Sequence, residues 1–137
     1  LDAERAATIS QNLRFTDDLL DLCASCDYIT IHVPATPKTK GMIGADEIAA
    51  MKEGAAFLNF SRDTLVDNDA MRAGLTSGKV RRYVTDFATP EVMTMEGALV
   101  LPHLGASTAE AEENCAEMAV REVMDYLETG KKVHCVN

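Results

Sequence analysis

No apolar run in these 137 residues is as long as a membrane-spanning helix. The first residues also lack the basic, apolar and small-residue order of a secretory signal. Neither a membrane span nor export is expected, and a cytoplasmic location is the simplest reading. Basic charge is scarce: 13 Lys and Arg stand against 22 Asp and Glu, for a net charge of -9. That balance argues against nucleic acid or an anionic membrane surface as partner. It still permits a local cationic site for an anionic substrate. Cysteine is confined to Cys23, Cys26, Cys115 and Cys135. Cys23 and Cys26 have the spacing of a redox or zinc motif. A zinc site takes about four ligands, and no second pair or nearby His completes one. Packed, reduced thiols are expected, and no metal site. There is no internal repeat, no low-complexity stretch and no linker. Nor is there a Gly-x-Gly-x-x-Gly turn, which a dinucleotide-binding sheet uses to bring backbone against a pyrophosphate. The chain therefore reads as the later part of a larger unit.

What is present is enough for one folded domain, since 47% of the residues are hydrophobic. Short apolar runs alternate with helical patterns. Residues 12–15 are a weak strand candidate. Thr16 caps a helix over 17–24, with two aspartates where the helix dipole favours negative charge. Residues 28–33 are rich in β-branched side chains and stop at Pro34. A loop over 35–44 leads to a short helix over 45–52, ended by Glu53 and Gly54. Residues 55–60 form a strand apolar enough to be buried on both faces. Asp67 caps a helix over 68–76 that Gly78 closes. Strands follow at 82–87 and 98–101. The last helix runs from near Thr108 to about Thr129, with an apolar stripe of Met118, Val120, Val123, Met124 and Leu127, and stops at Gly130. Its methionines are expected to fill a core or an interface. Residues 131–137 have no partner strand within the sequence.

Strands alternating with helices in this way imply right-handed crossovers and a parallel sheet. The fold class is α/β: a Rossmann-like three-layer αβα arrangement with a mainly parallel sheet, incomplete because the glycine-rich first βαβ unit is absent. Ligands of such sheets bind outside the carboxyl ends of the strands. Val33, Phe60, Phe87 and Leu101 are those ends. Beyond three of them stand Arg62, Glu91 and His103. Histidine can give and take a proton near neutrality. Arginine offers a planar fork to a carboxylate. Together the three suggest a site that binds a carboxylate and transfers a proton. His32 reads as a packed strand residue, His134 as exposed, and the basic cluster 79–82 as a solvated strand entry.

Several segments carry a resemblance. They include Asp27-Tyr28-Ile29-Thr30-Ile31-His32-Val33-Pro34, Thr39-Lys40-Gly41-Met42-Ile43, Leu58-Asn59-Phe60-Ser61-Arg62, Leu65-Val66-Asp67, Val84-Thr85-Asp86-Phe87 and Pro102-His103-Leu104-Gly105-Ala106-Ser107-Thr108. In this order and spacing the chain resembles the D-isomer-specific 2-hydroxyacid dehydrogenases. The resemblance implies that residues 1–137 are the C-terminal portion of an NAD-binding domain. The glycine turn and the substrate domain would lie outside this chain, and Val136-Asn137 would mark the return to that domain.

The same resemblance implies roles. Arg62 would bind the substrate carboxylate and polarise the carbonyl. His103 would be the general acid–base, and Glu91 would pair with it and stabilise its protonated form. Asp86 would hold the nicotinamide carboxamide. Val33, Phe60, Ser61, Arg62, His103, Leu104, Gly105 and Ala106 would line the NAD. The implied reaction interconverts a D-2-hydroxy acid and a 2-keto acid. 3-Phosphoglycerate, at the first step of serine synthesis, is the favoured substrate; hydroxypyruvate, glyoxylate or D-lactate chemistry is the alternative. A homodimer or higher homo-oligomer of the full-length protein is expected. This chain alone is expected to be inactive and to bind NADH weakly. A non-catalytic NAD(H)-sensing protein of the same fold is the reading from another class. The chain departs from the family pattern at Asp63, where Gly usually follows the arginine, and at Val92, where Pro commonly follows the glutamate. Asp63 sets a negative charge beside Arg62.

Overall fold

The computed structural model describes residues 13–105 and 107–134. They fall into two compact units, divided between Pro102 and His103. The first unit is built on four strands: β1 (Tyr28–Ile31), β2 (Ala55–Asn59), β3 (Val80–Thr85) and β4 (Ala98–Val100). They lie in the order β1-β2-β3-β4 and every pair is parallel. The expected parallel α/β sheet is present.

Register explains which residues are core. Ile29 pairs with Phe57, and Phe57 with Tyr83; one step along, Ile31 pairs with Asn59, and Asn59 with Thr85. All six are buried, because side chains two apart on neighbouring strands share a face. The rings of Phe57 and Tyr83 stand 6.1 Å apart at their centroids, within the range of a favourable aromatic pair. The opposite face is more open at its edges, where Tyr28 is 69% and Leu99 52% exposed. β2 is nearly continuous core, as its sequence implied; only Leu58 is half-buried.

Helix α1 (Leu19–Ser25) precedes β1, α2 (Ala45–Ala50) links β1 to β2, and α3 (Asn68–Ser77) links β2 to β3. α1 packs on α2, α2 on α3, and α3 on β3. At Gly74, α3 comes close to its neighbours. A Cβ there would lie 2.7 Å from Ile48 Cγ2 and 3.3 Å from Val80 Cγ2. Asp67 caps α3 through the N–H groups of Asp69 and Ala70, and Gly78 ends it in the left-handed region at φ 82°. Both assignments match the sequence reading.

Other expectations are corrected. Residues 13–15 form no strand, and Asn12 lies outside the described residues. The first helix starts later than expected, and Asp18 caps it, accepting from the N–H groups of Leu20 and Asp21. Thr16 instead accepts from Asp18 N–H. Asp18 has the charged acceptor, a stronger cap than a threonine hydroxyl, and takes the position. The third strand starts at Val80 rather than 82, because the pairing of β2 skips Arg81: Ala55 meets Val80 while Ala56 meets Arg82. That bulge leaves Arg81 and Arg82 both exposed and breaks the alternation a sequence reading relies on. A short helix, α4 (Pro90–Met93), stands between β3 and β4. Thr89 accepts from Val92 N–H, and Pro90 occupies the first turn, where its missing N–H costs nothing. A 3₁₀ turn over Asp63–Leu65 also went unread.

The second unit holds one long helix, α5 (Ala109–Thr129), which starts near Thr108 and ends at Gly130 as expected; Thr108 is its cap, and Gly130 lies at φ 71°. Its apolar stripe is not core. Met118, Val120, Val123, Met124 and Leu127 are all more than half exposed. His134 is exposed, as expected, and its Nδ1 lies 2.7 Å from Glu122 Oε1. No described helix is long and apolar enough to cross a membrane.

Candidate active site

The carboxyl ends of β1 and β2 are tied together by a polar contact two residues beyond each strand. Ser61 Oγ donates to the Val33 carbonyl at 2.7 Å, joining the exits of β1 and β2. Asn59, the last residue of β2, is wholly buried. Its Oδ1 accepts from Ser61 N–H at 3.1 Å and its Nδ2 donates to the Arg62 carbonyl at 2.8 Å. Arg62 is thereby set in extended backbone, φ -150° and ψ 141°, immediately before the 3₁₀ turn. Its side chain is exposed, and Nη1 donates to the Ser61 carbonyl at 2.6 Å.

The 3₁₀ turn is held from the other side by the loop after β1. Gly41 N–H donates to the Thr64 carbonyl at 2.9 Å, and Ile43 N–H to Leu65 at 3.0 Å. Asp67 N–H returns to the Ile43 carbonyl. The Asp63 carboxylate accepts from Thr64 N–H at 2.8 Å. Asp63 thus serves its own turn, a use that a glycine could not fill.

Beneath this turn sits Tyr83, 1% exposed. Burial pushes its phenol above the ordinary value of 10.0, hydrogen bonding from Asn59 and Thr85 pulls it partly back, and the Asp63 charge adds to the rise. A cavity of about 350 Å³ opens beside it, with Asp63, Thr64, Asp67, Tyr83, Phe87 and Thr89 among its walls. A larger groove of about 530 Å³ between α2 and α3 is walled mainly by Ala45, Ile48, Ala70 and Gly74. Its charged residues, Lys79 and Glu53, pair with each other at 2.9 Å, so it offers little chemistry.

The expected site residues divide as follows. Val33, Ser61 and Arg62 are brought together by the bonds above, with Phe60 40% exposed among them. Asp86 and Phe87 are half-buried just past β3, and Phe87 N–H donates to Thr85 Oγ1. Glu91 lies in the first turn of α4, with its side chain exposed. Arg72 of α3 holds that helix in place: Nη2 donates to the Glu91 carbonyl at 2.8 Å and to Thr94 Oγ1 at 3.1 Å. His103, Leu104 and Gly105 belong to the second unit and are exposed. Ala106 lies outside the described residues. Asn59, Thr85 and Arg72 went unremarked from sequence. A polar residue closing an apolar run was the available signal for Asn59; Arg72 gave none, because its partners are distant in sequence.

The cysteines are free thiols where described: Cys23 buried, Cys26 half-buried and Cys115 exposed. Packing is therefore corrected for Cys115, which sits on the exposed α5. Cys135 lies outside the described residues. Desolvation raises the Cys23 pKa above its ordinary 9.0, helped by the charges of Glu47 and Cys26.

The family described as "D-isomer specific 2-hydroxyacid dehydrogenase, NAD binding domain" matches residues 2–105. The chain is 35% identical to D-3-phosphoglycerate dehydrogenase of Methanocaldococcus jannaschii over 124 residues, covering 86% of this chain and 24% of that one. It is 34% identical to glyoxylate/hydroxypyruvate reductase B of Cronobacter sakazakii over 133 residues, covering 92% and 41%. Among solved structures, a D-isomer specific 2-hydroxyacid dehydrogenase from Xanthobacter autotrophicus Py2 in complex with NADPH and MES superposes with a TM-score of 0.71 at 27% identity. That match covers 85% of this chain and 50% of the other. The chain thus spans only 24% to 41% of the length of these two curated relatives.

Proposed function

This chain belongs to the D-isomer specific 2-hydroxyacid dehydrogenases, and from that membership we propose that it is the later portion of the NAD-binding domain of an enzyme interconverting a D-2-hydroxy acid and a 2-keto acid. The observation that carries the reading is Arg62. It stands exposed at the carboxyl end of a parallel strand, on a turn that Asn59 and Ser61 build around it. Sheets of this kind take their ligands there.

The residues present fit a nicotinamide dinucleotide. The Ser61–Val33 bond makes one ledge of two strand exits, and Phe60 and the half-buried Asp86 lie at the same end of the sheet. In the proposed chemistry Arg62 grips the substrate carboxylate and polarises the adjacent carbonyl. His103 gives a proton to the carbonyl oxygen in reduction and takes it back in oxidation. Glu91 pairs with His103, and Asp86 holds the carboxamide. A nicotinamide, when bound, would supply the hydride or receive it. One hydride and one proton are thus added to the keto acid for each hydroxy acid formed.

For the substrate, the relatives named D-3-phosphoglycerate dehydrogenase favour 3-phosphoglycerate, with serine biosynthesis as the setting. We assign the whole protein to the cytoplasm as a homodimer. The test is NADH oxidation by the full-length protein with phosphohydroxypyruvate, hydroxypyruvate, glyoxylate and pyruvate. Preference for phosphohydroxypyruvate is expected. Preference for an unphosphorylated acid changes the substrate and keeps the chemistry, and no turnover with any of them overturns the enzyme reading in favour of a cofactor sensor.

A further inference from the structure

We propose that Asn59 is a positioning residue that aims Arg62 at the substrate carboxylate, an inference that rests on the role given to Arg62 above. A strand ends by turning, and the turn decides where the next side chain points. Here one side chain spans the whole turn. The Asn59 amide oxygen takes the Ser61 N–H and its amide nitrogen gives to the Arg62 carbonyl. Backbone groups on both sides of the Ser61–Arg62 peptide are thus fastened to a single rigid plane. That plane is itself immobilised, because Asn59 is 0% exposed and lies against the buried Tyr83 and Thr85 side chains.

The chemistry selects asparagine. The turn presents one donor and one acceptor, and an amide answers both from two separate atoms of one plane. Aspartate would keep the acceptor for Ser61 N–H and set a carboxylate oxygen against the Arg62 carbonyl. Alanine would strip the Ser61 N–H of its side-chain acceptor and leave the Arg62 carbonyl only the Leu65 N–H at 3.4 Å, which loosens the turn. Arg62 has no other side chain fixing its backbone in the bonds described. Its own guanidinium turns back to the Ser61 carbonyl, so the peptide that Asn59 holds is also the one that orients the fork.

The experiment is steady-state kinetics of the full-length protein with NADH and its preferred 2-keto acid. Asn59→Ala, Asn59→Asp and Arg62→Ala are compared, and each Asn59 change is repeated in the Arg62→Ala background. Both Asn59 variants are expected to raise KM for the keto acid by about tenfold or more and to lower kcat, with KM for NADH within about twofold, since misplaced catalytic groups cost rate steeply. In the Arg62→Ala background the same changes are expected to alter kcat/KM by less than about twofold, because a residue acting through another loses its effect when that other is gone. A merely structural role would lower stability and kcat/KM equally in both backgrounds, and that result overturns the proposal. So does an unchanged keto-acid KM in the near-isosteric Asn59→Asp, which serves if Asn59→Ala does not fold. If Arg62→Ala itself leaves turnover intact, the role of Arg62 fails and this inference with it. If Arg62→Ala abolishes turnover while Asn59 variants do not, only the present inference fails.

Discussion

Tyr83 and Cys23 show how burial alone sets the behaviour of a titrating group in this chain. The folded state holds the Tyr83 phenol neutral to a higher pH than the unfolded chain does. Its contribution to stability is therefore complete below pH 10 and is lost as pH rises through the folded value. Thermal unfolding followed from pH 8 to 11 is expected to show a falling Tm, and Tyr83→Phe is expected to flatten that fall. An equally steep decline in the variant would assign base lability to another group. Cys23, buried and raised above its ordinary pKa, has little of the thiolate that reacts. Alkylation by iodoacetamide mapped by mass spectrometry should modify the exposed Cys115 first and Cys23 last. Early labelling of Cys23 would mean that α1 opens readily.

Helix α3 shows how an element is specified at its ends and at one point of contact. Asp67 and Gly78 bound it through chemistry that any solvent-exposed helix would use. Gly74 does something only packing requires, since a Cβ there would press on Ile48 and Val80. Gly74→Ala improves helix propensity by about 1 kcal/mol, yet overpacking typically costs about 1–3 kcal/mol. A net loss of stability is expected in urea unfolding, and a gain would show that Ile48 can move aside without strain. Asp67→Ala removes the acceptor for two N–H groups and should cost about 1 kcal/mol by the same measurement. The two variants separate a local requirement from a tertiary one.

Across the whole molecule the residues proposed for chemistry follow strand ends. In the full-length protein His103→Ala is expected to lower kcat by about 10²–10⁴, the usual worth of general acid–base catalysis. NADH affinity should change little; unchanged turnover would remove His103 from the mechanism. The isolated 137-residue chain contains no Gly-x-Gly-x-x-Gly turn, so it should bind NADH only weakly. Micromolar affinity in a fluorescence titration would show that the strand-end ledge suffices.

The amino-acid order was enough to reveal the alternation of strands and helices, the caps at Asp67, Gly78 and Gly130, and the placing of Arg62 past a strand end. Each of these depends on contacts within a few residues, which a linear reading can see. Residue chemistry also marked out Arg62, Glu91 and His103 as a group worth testing. The start of β3 at Val80 came from its pairing with Ala55 in another strand, and no local pattern encodes a skipped residue. The turn of α4 depends partly on Arg72, whose partners Glu91 and Thr94 lie 19 and 22 residues away. Asn59 reads in sequence as a polar blemish at the end of an apolar run. Only the folded chain gives it both partners and buries it, because an amide becomes a clamp only where the backbone has turned to meet it.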